Sequence, residues 1–182
     1  MKYRFNVIMT DEDYLEYNKF QLIRSPYGKK QLRNLRISLT ALFGGAVLLS
    51  LIVGGLSAEY LLTAVIPLAV LYIIMQAVCE RFLAWSLKGQ LNMMKKSGKP
   101  CYSPDSVMEF YEDCFTEITP DNKTEQRYSA IERISFVDGK VIYIHINNLL
   151  AYVLPLNCFE SKEQYESFSE FIKGKCDKVD IY

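Results

Sequence analysis

Histidine is almost missing from this chain: 182 residues contain one, His145. The five cysteines, Cys79, Cys101, Cys114, Cys158 and Cys176, form no C-x-x-C pair and are odd in number. Without closely spaced Cys and His there is no ligand set for zinc, and in a reducing compartment such thiols are expected to be free. The sequence also lacks a glycine-rich phosphate loop, a G-x-S-x-G elbow and a Cys-His signature. His145 alternates with Tyr143 and reads as a satisfied or solvent-facing strand histidine. Glu112 and Asp113 would point to opposite faces of an extended segment, a poor arrangement for an acid/base pair. No catalytic, cofactor-binding or metal-ligating residue is therefore assigned, and the expectation is a protein that is not an enzyme.

Charge is missing as well, over one long stretch. Ile37 to Ala58 and Tyr60 to Cys79 are uncharged apolar runs, with Glu59 between them. A helix rises about 1.5 Å per residue and a bilayer core is roughly 30 Å thick, so about 20 residues suffice to cross it. Two such runs back to back predict a transmembrane hairpin. Lys19, Arg24, Lys29, Lys30, Arg33 and Arg36 precede it, and Arg81, Lys88, Lys95, Lys96 and Lys99 follow it. The connection between the runs has no Lys or Arg. Because Lys and Arg resist translocation, both termini are expected to face the cytoplasm in a multi-pass protein of the cell (inner) membrane. Ser57 and Glu59 suit the start of the second span. No cleavable signal peptide is read in MKYRFNVIMTDEDY.

Zero net charge conceals a division. Residues 1–100 hold 13 Lys and Arg against 6 Asp and Glu, and residues 101–182 hold 8 against 15, a net +7 and −7. The basic excess beside the spans suits an anionic leaflet. The acidic second half is repelled by phosphates, which argues against nucleic acid as a partner.

Residues 1–36 read as a strand, with Tyr3, Phe5 and Val7 on one side, then a helix starting at Thr10-Asp11-Glu12-Asp13. Its apolar stripe, Tyr14, Tyr17, Phe20 and Ile23, suits either a membrane surface or packing against protein, the commoner use, and Ser25-Pro26-Tyr27-Gly28 is expected to break or kink the helix. Within 37–79, Ala41 with Gly45 and Thr40 with Gly44 have small-xxx-small spacing for close helix approach, and Pro67 is expected to bend the second span. Gln76 is neutral and near the interface, so it marks no transport path. Residues 80–100 continue as a juxtamembrane helix and linker, with Trp85 at aromatic-belt depth. Residues 101–182 show strand-like runs at Val107 to Tyr111, Phe115 to Ile118, Glu125 to Tyr128, Ile134 to Val137, Val141 to Ile146 and Leu149 to Leu154. Asp138-Gly139 and Asn147-Asn148 predict tight turns and an antiparallel meander. Ser161 with Gln164 predicts a capped helix that buries Phe168 and Phe171. These six runs leave the strand near Lys2 to Met9 an orphan, expected to add to their sheet because it would otherwise expose unpaired amides and an apolar face.

The Thr-Asp-Glu-Asp-Tyr helix start, the hairpin, and then Phe110-Tyr111-Glu112-Asp113, Tyr128-Ser129-Ala130-Ile131, Tyr152-Val153-Leu154-Pro155 and Phe159-Glu160-Ser161 resemble the YcxB-like family of bacterial membrane proteins. The resemblance runs along nearly the whole chain. It implies a pleckstrin-homology-like (PH-like) carboxy-terminal domain and transfers no catalytic residue. Lipid-phosphate sites of PH domains use a basic loop between the first two strands, whereas Glu112-Asp113-Cys114 stands here, against phosphoinositide recognition. The expected fold is an α+β membrane protein: a two-helix hairpin (37–58, 60–79) with a cytoplasmic PH-like antiparallel sheet capped by a C-terminal helix. The expected function is a membrane-tethered interaction or regulatory module that binds a protein or peptide, by strand addition beside the last helix for example. The alternative is a lipid-responsive sensor element using the juxtamembrane basic clusters. Membrane lipids, an unidentified membrane or cytoplasmic protein and a second copy of the chain are the partners compatible with this reading.

Overall fold

The computed structural model describes residues 1–54, 57–98, 102–148 and 150–182. Expectations for Gly55, Lys99, Pro100, Cys101 and Leu149 lie outside them. The elements run β1 (Tyr3–Ile8), α1 (Asp11–Lys19), a π-helical turn (Phe20–Arg24), α2 (Pro26–Gly54), α3 (Ala58–Tyr60), a second π turn (Leu61–Val65) and α4 (Ile66–Lys96). There follow β2 (Asp105–Phe110), β3 (Cys114–Ile118), β4 (Lys123–Arg127), β5 (Arg133–Val137), β6 (Val141–His145), β7 (Ala151–Pro155), α5 (Lys162–Lys173) and β8 (Val179–Ile181). The fold is α+β and divides into two compact units, Met1–Tyr17 with Gly98–Tyr182, and Asn18–Ser97.

The first unit is discontinuous. β1 pairs antiparallel with β2, Phe5 opposite Met108 and Val7 opposite Ser106, so the orphan strand does join a sheet, but the six runs expected to form one sheet divide between two and β1 extends only the first. One sheet runs β1-β2-β3-β4 and the other β7-β6-β5-β8. Phe5, Phe110, Phe115, Ile134, Ile142, Ile144 and Leu154 from the two sheets share one core with Phe168 and Ile172 of α5. Phe168 lies at its centre, with ring centroids 4.7 Å from Phe110, 4.9 Å from Phe5 and 5.3 Å from Tyr3. Phe171, expected to be buried, is only half-buried, and Ile172 takes the interior position one residue on. The predicted cap forms: Ser161 Oγ accepts the Gln164 N–H at 3.2 Å, and the Gln164 side chain accepts the Glu160 N–H at 2.7 Å.

Two turns are longer than predicted. Asp138 and Gly139 both have positive φ, 51° and 62°, and Lys140 N–H donates to the Val137 carbonyl at 2.9 Å, but Val137 stands opposite Val141, so the connection holds three residues rather than the predicted two. The Asn147-Asn148 connection is longer than predicted: Ile146 N–H donates to the Leu150 carbonyl at 3.0 Å, and Asn147 Oδ1 accepts the Leu150 N–H at 2.8 Å. The asparagine side chain does locally what a shorter backbone turn would have done. β8 was not legible as a strand. It adds parallel to β5, Ile134 opposite Val179, and so fills the sheet edge reached after α5 with the chain's own terminus.

In the second unit, Ser25 is fully buried; its hydroxyl donates to the Gln21 carbonyl at 2.6 Å and accepts the Gly28 N–H at 2.9 Å. A Cβ at Gly28 would collide with the Gln21 and Leu22 carbonyls, so the knuckle before α2 requires glycine. Pro67 lies within the continuous helix Leu61–Lys96, directly after the π turn, so its missing N–H falls beside the widened turn. α2 and α4 meet through polar side chains: Arg36 pairs with Glu80 at 2.8 Å, Thr40 bonds Tyr72 at 2.7 Å, and Gln76 donates to the Arg36 carbonyl at 3.4 Å. The small-xxx-small expectation is corrected. A Cβ at Gly44 or Gly45 would meet nothing within 4 Å, so these glycines are not the packing seam. Pro26–Gly54 and Leu61–Lys96 are each long and apolar enough to cross a membrane, and none of their most apolar window is buried.

Candidate functional site

The sequence-stated candidates for chemistry are dispersed by the fold. His145 and Ser135 sit opposite the core-facing Ile134 and Ile144 of the same strands, yet every residue of β5 and β6 is buried. His145 Nε2 and Ser135 Oγ are 3.1 Å apart, and both residues are fully buried. Burial, and then the Arg133 charge, push the imidazole down to about 3, so it is neutral. Arg133 itself meets Asp180 of β8 at 3.5 Å. This is a polar tie inside the second sheet.

Glu112 is not on an extended segment; it lies in the turn between β2 and β3. It gathers two cations, Lys2 at 3.8 Å and Lys175 at 4.0 Å, and its carbonyl accepts from Lys175 Nζ at 2.7 Å. Lys175 also lies over the Tyr128 and Phe171 rings. These contacts fasten both ends of the sheet unit's chain to the β2–β3 turn. Among the described residues no group of three His, Cys, Asp or Glu is placed to hold a metal ion. Cys79, Cys114, Cys158 and Cys176 are free thiols, and burial pushes Cys158 up to about 12.

The arrangement best suited to recognition lies between α1 and the β6–β7 face, a groove of about 280 Å³. Its floor is Val141, Tyr143, Val153 and Pro155, and its rim carries Glu12, Asp13 and Glu16 facing Lys140. Asp13 is committed to the helix start: its carboxylate accepts the Thr10 hydroxyl at 2.6 Å and the Thr10 N–H at 2.9 Å. Glu12 and Glu16 make no hydrogen bond or ion pair among the described residues. Tyr17 packs edge-on to Tyr143, centroids 5.2 Å apart, which holds α1 against the sheet. An apolar floor beneath two uncommitted carboxylates suits a cationic side chain on an apolar or aromatic segment. The reading of Asp11-Glu12-Asp13 as first-turn anions passed over this rim. Its signal was the two acids at i and i+4, which share one helix face.

Residues 110–172, from the end of β2 almost to the end of α5, match the family described as YcxB-like protein. The resemblance read in the Phe110, Tyr128, Tyr152 and Phe159 motifs is matched over that segment, and the Thr10 helix start and the hairpin lie outside it. No curated protein and no solved structure matches the chain.

Proposed function

We propose that this chain is a membrane-tethered cytoplasmic interaction module, in which α2 and α4 cross the inner membrane and the sheet unit binds a protein or peptide. One observation carries the reading: β1 and β2 are neighbours in one sheet although the whole apolar helix pair lies between them in sequence. A sheet cannot be split by a bilayer, so an even number of crossings is required, and the hairpin supplies two. Exposure supports insertion, since Leu48, Ile52, Val53, Leu62 and Ile73 are each more than 60% exposed, a cost in water that lipid removes. The Lys and Arg asymmetry favours the cytoplasmic side for the sheet unit. A PH-like reading is supported by an antiparallel meander, a second antiparallel sheet and a closing C-terminal helix.

The groove rimmed by Glu12 and Glu16 is the docking site we assign to the partner, a segment with Lys or Arg beside apolar residues. Nucleic acid is not the partner, because its phosphates would meet these carboxylates. The full-length protein isolated in mild detergent is expected to retain a stoichiometric partner. Glu12→Gln with Glu16→Gln should release it while the protein remains in the membrane fraction. Retention of the same partner by the double variant would remove the groove from the account. A second reading, lipid response, is favoured by an open basic trough in the helical unit.

A further inference from the structure

We infer that the hairpin unit carries a discrete site for one anionic phospholipid, along the face of α2 that runs from Lys29 to Ala41. This rests on the reading that α2 and α4 are membrane-spanning. The trough has a volume of about 650 Å³ and follows a single helical stripe, Lys29, Arg33, Arg36, Ile37 and Ala41, walled by Ile23 and Glu80. Over those residues the lining changes from cationic to apolar. Twelve residues of helix rise about 18 Å, which matches a headgroup phosphate at the basic end and the upper part of an acyl chain at the other.

The charges are not equivalent. Arg36 is held by Glu80 at 2.8 Å, which neutralises the single carboxylate in the trough and fixes the Arg36 side chain. Lys29 and Arg33 have no ion pair among the described residues, and both are exposed. The trough therefore keeps two uncompensated cations directly above Ile37, which is 60% exposed. A zwitterionic lipid would bring an ammonium to the same place and gain little. A lipid of net negative charge, with its phosphate on Arg33 and Lys29 and one chain against Ile37 and Ala41, satisfies both ends. Lys95 and Lys96, two of the remaining juxtamembrane cations, close α4 and line no part of this trough.

The test uses the full chain in detergent, titrated with phosphatidylglycerol or phosphatidylcholine and read as bound lipid by native mass spectrometry. One phosphatidylglycerol should bind in preference to phosphatidylcholine. Lys29→Gln with Arg33→Gln should weaken it about 25-fold, at about fivefold per cation. Arg33→Lys should keep most of the binding, and Lys95→Gln with Lys96→Gln should leave it unchanged. Equal losses in the two double variants, or equal binding of the two lipids, would overturn the discrete site. Resistance of each variant to alkaline extraction from membranes is measured alongside. Extraction of the unaltered protein would mean that the membrane-spanning reading itself had failed, whereas retention with no selective lipid would condemn the trough alone.

Discussion

At the scale of the residue, His145 shows how burial removes a chemically versatile group from use. Its imidazole is pushed down to about 3, while in the unfolded chain an imidazole takes up its proton near 6.5. The sign follows from which state binds the proton. Below pH 6.5 the unfolded chain gains a proton that the folded chain refuses. The stability of the neutral arrangement is thus complete above 6.5 and declines as pH falls toward 3, by up to about 1.4 kcal/mol per unit. Because the chain has a single histidine, its Cε1 proton resonance is unambiguous. We expect that resonance to stay flat between pH 8 and pH 5. A titration midpoint near 6.5 would mean that His145 reaches solvent, and its tie to Ser135 would have to be abandoned.

At the scale of the element, α5 closes the sheet core through one aromatic more than the other. Phe168 is fully enclosed by rings from β1 and β2 and by Phe159, whereas Phe171 is half-buried under Lys2 and Lys175. Phe168→Ala is expected to cost about 3 to 5 kcal/mol, in the range of large buried aromatics, and Phe171→Ala distinctly less. Denaturant unfolding of the sheet unit within the full chain, followed by amide exchange of β2 and β3, measures both. Equal costs would contradict the packing. The elements also differ in how far the sequence reveals them. The capped helix, the Asp138-Gly139 turn and the six strands after residue 101 were legible because local chemistry and periodicity agree there. β8 was not, since three residues pairing parallel to a distant strand leave no local signal. The polar seam between α2 and α4 was hidden for a related reason: Thr40, Tyr72 and Gln76 acquire meaning only once the helices are side by side. The groove and trough were half-legible, their charges visible in the sequence and their apolar partners supplied by tertiary structure.

At the scale of the whole molecule, the central feature is a sheet domain interrupted after α1 begins and resumed after α4 ends. Its interruption explains why a strand of alternating pattern stands alone before an apolar hairpin: without β2, Phe5 and Val7 would have no core to enter. Met9 N–H donates to the Pro104 carbonyl at 2.8 Å. The two-residue alternation of an antiparallel ladder then gives the amides of Val7 and Phe5 to β2. Hydrogen exchange on the full-length protein in a bilayer mimetic tests this most directly. The Phe5 and Val7 amides should be protected to the level of Phe115 and Ile142, opening only with the whole sheet unit. Exchange of Phe5 and Val7 at the rate of an unstructured peptide, while Phe115 and Ile142 remain protected, would contradict a domain built around the hairpin.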